Sequence, residues 1–551
     1  MGLQTFNKQS RASLFRCLSS GTLDLLVIGG GITGAAIFRD AALRGMRVGL
    51  VEAYDFASGA SGRSSKLFHG GLRYLKNRRI RLVWESCQER NLHARLNSRL
   101  VRPLPFLLTL YEARDISRAE MRLGMLAYEL LSGLRNHRFH RFLSRQETLL
   151  LAPGIPTAKL QGGCLYYDAA VSDNRWTMET LKDGVRNGGI ALNYAGVKAL
   201  LKRNGKICGA SVEDRAQADS YEIFARSVIN ATGAFSDQVR RMDRPDASKL
   251  VRLSKGTHLV FRQEDVPLGV TTVFSSPLDG RSLFLVKRDG CFLYGTSDDW
   301  EDADPARPAP GERDVNYLLE SLRRFMPDAG LGPEKVRFTY SGFRPLFFSG
   351  SEEQCGSEAS REDFIEVAPS GLVSVVGGKL TTARIIAHRV LDRVLRGLDR
   401  SSAWSRCRTH KLPMGGSNEA VAEGLSYWVR RCPSMSGYIR DLYQRYGVDA
   451  DEICREVARM PSRRPIDIDP SRAELEYLCR REMVCTLEDL MDRRIGFLDW
   501  SCERRLQCLR NNASVIQEAL GLSESDFAGQ FADYQEHLER LHSLPSCMQA
   551  A

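Results

Sequence analysis

A strand, a glycine-rich turn, a helix and a second strand follow one another between residues 24 and 52. The pattern predicts an apolar strand over residues 24–28, a helix over residues 35–44 and a strand over residues 47–51. Two short apolar strands joined by one helix form a βαβ unit, in which both strands lie parallel in the same sheet. The unit therefore restricts the chain to a fold of the α/β type.

The turn of this unit carries glycines at positions 29, 31 and 34, and the second strand ends on Glu52. If this is a dinucleotide-binding unit, Gly29 allows the tight turn, Gly31 lets the backbone approach a pyrophosphate, and Gly34 lets the helix pack closely on the strand. The helix N-terminus favours the negative charge of the phosphates. Glu52 can accept hydrogen bonds from ribose hydroxyls and would repel a 2′-phosphate, so the pattern predicts NAD or FAD rather than NADP.

The segment that follows Glu52 favours FAD. Where a nicotinamide dehydrogenase would normally continue with another strand and helix, residues 54–75 form a long run that is rich in glycine and serine and also contains basic side chains. Small residues allow the backbone to lie against a flat ligand, and serine hydroxyls can contact phosphate and ring atoms. On composition alone, a surface loop is the alternative interpretation.

Six separate motifs resemble those of one enzyme family. The run at residues 63–75, Arg-Ser-Ser-Lys-Leu-Phe-His-Gly-Gly-Leu-Arg-Tyr-Leu, resembles the signature of the FAD-dependent, respiratory glycerol-3-phosphate dehydrogenases. Five further matches follow in the family's order, at residues 230–234, 255–258, 295–298, 340–346 and 377–382. Six ordered matches are far more specific than any single one.

The resemblance implies a fold of the D-amino-acid-oxidase type: a Rossmann-like FAD-binding domain interleaved with an antiparallel-sheet substrate domain, followed by an all-α C-terminal domain. Strand-forming residues at 250–300 and 335–348 suit the antiparallel sheet. Helical periodicity dominates from residue 419 to residue 544. We expect an N-terminal extension over residues 1–23, an oxidoreductase region over residues 24–400 and a helical domain over residues 401–551.

The same patterns predict several shorter elements. Strands are expected at residues 188–194, 199–202, 223–230 and 371–378. Helices are expected at residues 13–19, 380–396, 473–481, 486–494, 502–520 and 525–541, with Pro461, Pro465 and Pro470 in a linker. The C-terminal helices contain no catalytic constellation, and we expect them to be structural or to form a homodimer.

The glycine turn and the resemblance together assign the cofactor site. FAD is the implied cofactor, held without a covalent bond. The residues predicted to bind it are Gly29, Gly31, Gly34, Glu52, Ser64, Ser65, Lys66, His69, Gly70, Ala231, Thr232, Gly233, Gly378, Lys379, Leu380 and Thr381.

The resemblance also implies the reaction, in which sn-glycerol 3-phosphate loses its C2 hydrogen as hydride to flavin N5 and becomes dihydroxyacetone phosphate. Arg344 is the best candidate to bind phosphate or hydroxyl oxygens, because a guanidinium binds them bidentately. Arg73 and Tyr74 form a second substrate-binding pair. Lys379 could stabilise negative charge on the reduced ring, and His258, with an ordinary pKa near working pH, is the candidate proton acceptor.

The expected electron acceptor is a quinone in the membrane. One alternative is a glycerol-3-phosphate oxidase that uses oxygen, and another is an oxidase of the same fold that acts on an amine or amino acid. A third is a flavin-binding sensor without turnover. The group of cations at the site argues against the second and third alternatives.

Net charge and one apolar stretch favour contact with a membrane surface. The formal net charge is +11, and residues 121–134 form an apolar stretch with basic residues at both ends. Such a helix can lie in the interface of an anionic membrane, although a core helix with a basic end is an equal alternative. We therefore expect a cytoplasmic protein that associates peripherally with the inner face of the cell membrane.

Other classes of partner are disfavoured. There is no nucleic-acid-binding module and no basic stripe interleaved with aromatic residues. The 14 cysteines include no Cys-x-x-Cys pair, and Cys479, Cys485, Cys502 and Cys508 fall on predicted helices without zinc or iron–sulfur spacing. We expect no metal and interpret the thiols as reduced packing residues. The first 23 residues lack the apolar core of a signal peptide.

Overall fold

Two mixed sheets and a set of C-terminal helices make up the part of the chain that the computed structural model describes. That part comprises residues 3–76, 78–112, 118–288, 290–348, 362–398, 404–459, 470–496, 498 and 500–542. Strands and helices are numbered below in chain order.

The first sheet contains the predicted βαβ unit. Its strands are β1 (Leu23–Ile28), β2 (Val48–Val51), β7 (Ile190–Leu192), β8 (Ala195–Arg203), β9 (Lys206–Asp214), β10 (Asp219–Asn230), β17 (Asp363–Val367) and β18 (Val373–Gly377). The order is β17-β18-β10-β1-β2-β7, with β9 paired to β10 and β8 to β9. Strands β18, β10, β1, β2 and β7 run parallel, so their carboxyl ends meet at one edge of the sheet.

Three helices cover the parallel strands. Helix α2 (Ile32–Leu43) follows β1 and packs against α7 (Asp173–Arg186) and α10 (Ala383–Arg396). Strands that are covered in this way consist of apolar residues, and β1 and β2 are almost completely buried. Helix α2 begins at Ile32, three residues earlier than predicted, so Gly34 belongs to its first turn.

The second sheet is mainly antiparallel, as predicted. Its strands are β3 (Leu67–Phe68), β4 (Arg102–Tyr111), β5 (Arg141–Leu143), β6 (Leu160–Ala170), β11 (Val251–Arg262), β12 (Thr271–Ser275), β13 (Ser282–Arg288), β14 (Cys291–Gly295), β15 (Asp299–Trp300) and β16 (Val336–Phe347). Strand β11 pairs with β14, β15 and β16. In this register Ser254 lies opposite Arg344, and His258 lies opposite Tyr340.

The remaining helices lie at the edges of the sheets and at the C-terminus. They are α1 (Arg11–Ser19), α3 (Arg73–Lys76), α4 (Ile80–Leu96), α5 (Arg118–Leu131), α6 (Arg145–Leu151), α8 (Ser236–Asp243), α9 (Glu312–Phe325), α11 (Asn418–Arg431), α12 (Ser436–Tyr446), α13 (Ala450–Arg459), α14 (Arg472–Arg481), α15 (Cys502–Asn511), α16 (Ala513–Leu520) and α17 (Glu524–His542). The C-terminal helices enclose a hydrophobic core of their own.

The C-terminal helices differ from prediction in three places. The helix predicted over residues 486–494 is a π-helix, Asp489–Ile495, and Cys485 lies in the loop before it rather than on a helix. The helix predicted over residues 502–520 is interrupted at Asn512, whose side chain bonds the carbonyl oxygen of Cys508. The predicted linker prolines Pro461 and Pro465 lie outside the described residues, as does the predicted domain boundary at residue 400.

Helix α5 is amphipathic rather than fully buried. Its residues Met125 and Tyr128 are buried, whereas Leu123, Leu126 and Leu130 are 69%, 50% and 59% exposed. Nowhere in the described ranges does a helix combine the length and the apolar character that crossing a bilayer requires.

Candidate active site

The glycine turn after β1 makes contacts that only glycine permits. A Cβ atom at Gly29, where φ is +113°, would lie 2.5 Å from the carbonyl oxygen of Ala231, and a Cβ at Gly34 would overlap the carbonyl oxygen of Gly29. Beside Gly31 the nearest atom is Ser61 Oγ, 3.0 Å from a Cβ placed there. The turn and the N-terminus of α2 therefore form a cradle that fits a pyrophosphate.

Glu52 lies beside this turn at the end of β2. Its carboxylate accepts hydrogen bonds from the amides of Gly30 (2.6 Å) and Tyr54 (2.8 Å). Burial raises the pKa of Glu52, and the two amides oppose that rise. The acid is thus next to the glycine turn, as the sequence predicts, and its contact with a ribose stays a prediction.

Three turns that follow parallel strands meet at one edge of the first sheet. The turn after β1 is joined there by the turns after β10 and β18, because the three strands are parallel neighbours. These two turns contain most of the other residues predicted to bind FAD: Ala231, Thr232, Gly233, Gly378, Lys379, Leu380 and Thr381. The structure brings these residues together, and their contacts with FAD remain a prediction.

The glycine- and serine-rich segment is held in place by a carboxylate from α7. Asp173 accepts hydrogen bonds from the amide (3.0 Å) and hydroxyl (2.8 Å) of Ser64, and Lys66 Nζ lies 2.5 Å from its other oxygen. The Asp173 and Lys66 side chains are 0% and 8% exposed. Because the Lys66 ammonium is used in this ion pair, we expect any contact of Lys66 with FAD to come from its backbone.

The segment continues into a second tight turn, at Gly70. The Gly70 amide donates to Asp168 Oδ1 (3.1 Å), and a Cβ at this position would overlap the Tyr128 hydroxyl. The ring of His69 stacks on Tyr74, with 6.5 Å between the centroids. Gly70 therefore allows the backbone to pass close to buried side chains and to present His69 and Tyr74 on one side.

Arg73, Tyr74 and Lys379 lie together. The Arg73 guanidinium lies 4.9 Å from the Tyr74 ring centroid and donates to the Tyr74 hydroxyl (3.0 Å). Lys379 Nζ lies 4.1 Å from the same centroid and 3.3 Å from Ser86 Oγ. Burial would lower the pKa of Arg73, but Tyr74 and Asp298 raise it overall, so Arg73 stays charged.

Arg344 is oriented by groups on three neighbouring segments. Its guanidinium donates to Asp298 Oδ1 (3.1 Å), Ser254 Oγ (3.2 Å) and Thr296 Oγ1 (2.8 Å). The side chain is 21% exposed. Asp298 thus holds Arg344 directly and also stabilises the charge of Arg73, which places the two predicted substrate-binding arginines near one carboxylate.

His258 is buried in the second sheet beside Arg344. Its Nε2 lies 2.9 Å from Ser65 Oγ, and its ring stacks on Tyr340 with 4.8 Å between centroids. Burial, and then the charges of Arg344 and Lys66, lower the pKa of His258 to about 3. The imidazole is therefore neutral at working pH, which differs from the near-neutral pKa that the sequence suggested.

Two positioning carboxylates were not found from the sequence. Asp298 belongs to a motif that had been matched only by resemblance, and its contact with Arg344 joins residues that are 46 positions apart. No pattern in the sequence identified Asp173, because it lies 107 residues from its partner Lys66. Both acids act on residues that the sequence did identify.

Comparison with protein families gives two matches. Residues 24–393 match the model of the FAD dependent oxidoreductases, and residues 407–526 match that of the C-terminal domain of alpha-glycerophosphate oxidase.

Similar proteins span almost the whole chain. The aerobic glycerol-3-phosphate dehydrogenase of Staphylococcus haemolyticus (strain JCSC1435) is 32% identical over 509 residues, which cover 90% of each chain. That of Staphylococcus aureus (strain MRSA252) is 32% identical over 98% of this chain and 97% of its own.

Solved structures support the same fold. The glycerol-3-phosphate dehydrogenase from Bacillus halodurans complexed with FAD is 27% identical, with a TM-score of 0.79 over 98% of this chain and 99% of that chain. Glycine oxidase from Geobacillus kaustophilus, at 20% identity and a TM-score of 0.51, covers 68% of this chain and 95% of its own, and shows the fold alone. The predicted fold class and the FAD cofactor are confirmed.

Proposed function

This chain belongs to the FAD-dependent glycerol-3-phosphate dehydrogenase family, and from that membership we propose that it oxidises sn-glycerol 3-phosphate to dihydroxyacetone phosphate. FAD supplies the acceptor for the hydride that leaves C2. The protein must then bind a phosphate dianion, orient C2 and take the proton of the C2 hydroxyl.

The cationic group formed by Arg73, Lys379 and Arg344 is the observation that carries this proposal. Arg73 and Lys379 lie over the Tyr74 ring, and Asp298 holds the Arg344 guanidinium in a fixed orientation. A planar guanidinium with fixed orientation is suited to phosphate oxygens. Three cations against one carboxylate leave the positive charge that a dianionic substrate requires.

His258 is proposed to take the proton. Its low pKa keeps the ring neutral, and Ser65 Oγ is bonded to Nε2. Among the described residues, Nδ1 is buried and has no hydrogen-bond partner. Nδ1 is therefore the ring atom that we assign to receive the proton, and Ser65 sets the tautomer.

Anaerobic reduction of the flavin tests the substrate. Addition of sn-glycerol 3-phosphate to the purified holoenzyme without oxygen should bleach the visible flavin absorbance, because the flavin carries the redox chemistry. Glycerol and amino acids serve as controls and should leave the absorbance unchanged. Bleaching by an amino acid alone would favour the amine-oxidase alternative, and no bleaching by any of them would favour a flavin-binding sensor.

We further propose that a membrane quinone accepts the electrons. The relatives described above are named aerobic dehydrogenases, whereas the C-terminal family model is named after an oxidase, so oxygen is the second candidate. Mixing the substrate-reduced enzyme with a soluble quinone analogue or with air-saturated buffer distinguishes them by the rate at which flavin absorbance returns. Faster return with air would overturn the quinone proposal.

The outer face of α5 is proposed to lie on an anionic bilayer, at the cytoplasmic side of the cell membrane. Leu123, Leu126 and Leu130 project from this helix, and Leu134 just beyond it is 54% exposed. Arg118 and Arg122 on the helix, and basic residues after it, are also exposed. Exposed leucines bordered by arginines suit the interface of a negatively charged membrane.

A further inference from the structure

The π-helix of the C-terminal region, Asp489–Ile495, lies against the loop that follows β2. Arg493 and Arg494 project from this helix to Asp55, which is only three residues after Glu52. The contact joins parts of the chain that are 438 residues apart. π-helical turns are rare and are found frequently at functional sites, which points to a role for this contact beyond packing.

The Asp55 carboxylate is completely enclosed by donors. Its Oδ2 lies 2.6 Å from Arg493 Nε and 2.8 Å from Arg494 Nη1, and its Oδ1 lies 2.8 Å from Arg494 Nη2 and 2.8 Å from Asn193 Nδ2. The side chains of Asp55 and Arg494 are 0% exposed. Removal of one partner from such a buried pair leaves an uncompensated charge, which is strongly destabilising.

The residues on either side of Asp55 touch the glycine turn. The Tyr54 amide donates to Glu52, which in turn accepts from the Gly30 amide. The amide of Ala57 donates to the Gly30 carbonyl oxygen (3.2 Å), and the buried ring of Phe56 lies against Gly30. The loop from Tyr54 to Ala57 therefore forms one wall of the nucleotide cradle, with Asp55 at its centre.

We propose that Arg493 and Arg494 are positioning residues for FAD. Through Asp55 they hold in place the loop that forms one wall of the nucleotide cradle, so the C-terminal region contributes to FAD binding. The proposal rests on the FAD dependence of the family and is independent of the substrate and of the electron acceptor. A protein that binds FAD but does not oxidise glycerol 3-phosphate would leave it unaffected.

Two variants and a matched control test the proposal by FAD affinity. Asp55→Asn and Arg493→Gln should each raise the dissociation constant of FAD by about tenfold or more, a typical coupling between two sites, and should release flavin faster from the diluted holoenzyme. The control is Arg186→Gln, which removes a different ion pair to the C-terminal region, that of Arg186 on α7 with Asp449, and does not touch residues 52–57. It should change FAD affinity by less than about twofold.

A double variant separates positioning from loss of stability. In Asp55→Asn with Arg494→Gln, both members of the fully buried pair are neutral, while Arg493 keeps its ion pairs with Glu488 and Asp489, so fewer buried charges are left unpaired than in either single change. We expect its thermal stability to exceed that of Asp55→Asn while its FAD affinity stays low. Folded variants with the wild-type FAD affinity would overturn the proposal.

The wild-type protein provides a test that needs no variant. Coupling between two sites is reciprocal, so FAD must stabilise the arginine contact if the contact stabilises FAD. Adding FAD to the deflavinated protein should slow hydrogen exchange of the amides in Asp489–Ile495 as well as in residues 52–57, and should leave α11 unchanged. Unaltered exchange in Asp489–Ile495 would refute the proposal even if every variant failed to fold.

Discussion

Replacing the exposed leucines of α5 by glutamate should detach the protein from anionic membranes. The proposed change is the triple variant Leu123→Glu, Leu126→Glu and Leu130→Glu. The three side chains point away from the buried residues Met125 and Tyr128, and glutamate is a good helix former. We therefore expect the helix and the fold to be retained.

The structure sets the size of the effect. The exposed fractions of 69%, 50% and 59% amount to just under two whole leucine side chains. Burial of one such side chain contributes about 2 kcal/mol, so insertion of this face contributes about 3 to 4 kcal/mol. Since about 1.4 kcal/mol corresponds to a factor of ten, binding should weaken by about 100-fold or more, with repulsion between glutamate and anionic lipid adding to the loss.

Sedimentation with vesicles of defined composition measures this partition. Wild type should pellet with vesicles that contain an anionic lipid, less so at high salt, and the triple variant should stay in the supernatant. Leu150→Glu is the matched control, because Leu150 is 78% exposed on a different helix, α6, and should not change binding. Equal pelleting of the triple variant and wild type would refute the assignment of this face to the membrane.

Three further predictions concern the site. Gly34→Ala should yield a colourless protein on purification, because the added Cβ would overlap the carbonyl oxygen of Gly29 and displace the turn. Arg344→Lys should raise KM for glycerol 3-phosphate by about 10- to 100-fold through loss of a charged bidentate contact, whereas Arg337→Lys on the same strand should leave KM unchanged. The pKa of His258 is depressed to about 3, below its unfolded value of about 6.5, so its contribution to stability is present above about pH 6.5 and is lost as the pH falls towards 3. The melting temperature should therefore fall less between pH 7.5 and pH 5 in His258→Gln than in wild type, and equal falls would contradict the low pKa.

Local spacing made much of the fold predictable. The βαβ unit follows from apolar runs and three glycines within about thirty residues, and the contacts of Gly29 and Gly34 explain why those positions are glycine. Helix and strand boundaries moved by only a few residues. The exceptions are the π-helix Asp489–Ile495, since an apolar periodicity does not distinguish it from an α-helix, and the helix predicted over residues 502–520, which is interrupted at Asn512.

The sequence by itself determined the class of fold, the position of the glycine turn that is predicted to bind FAD, and the choice of Arg73, Lys379, His258 and Arg344 as candidate site residues, because each belongs to a motif of neighbours close in the chain. Only the tertiary structure decided which side chains meet. The contacts of Lys66 with Asp173 and of Asp55 with Arg493 join residues 107 and 438 positions apart, and they depend on how sheets and helices pack. The low pKa of His258 has the same origin, because burial and the nearby charges of Arg344 and Lys66 exist only in the folded chain.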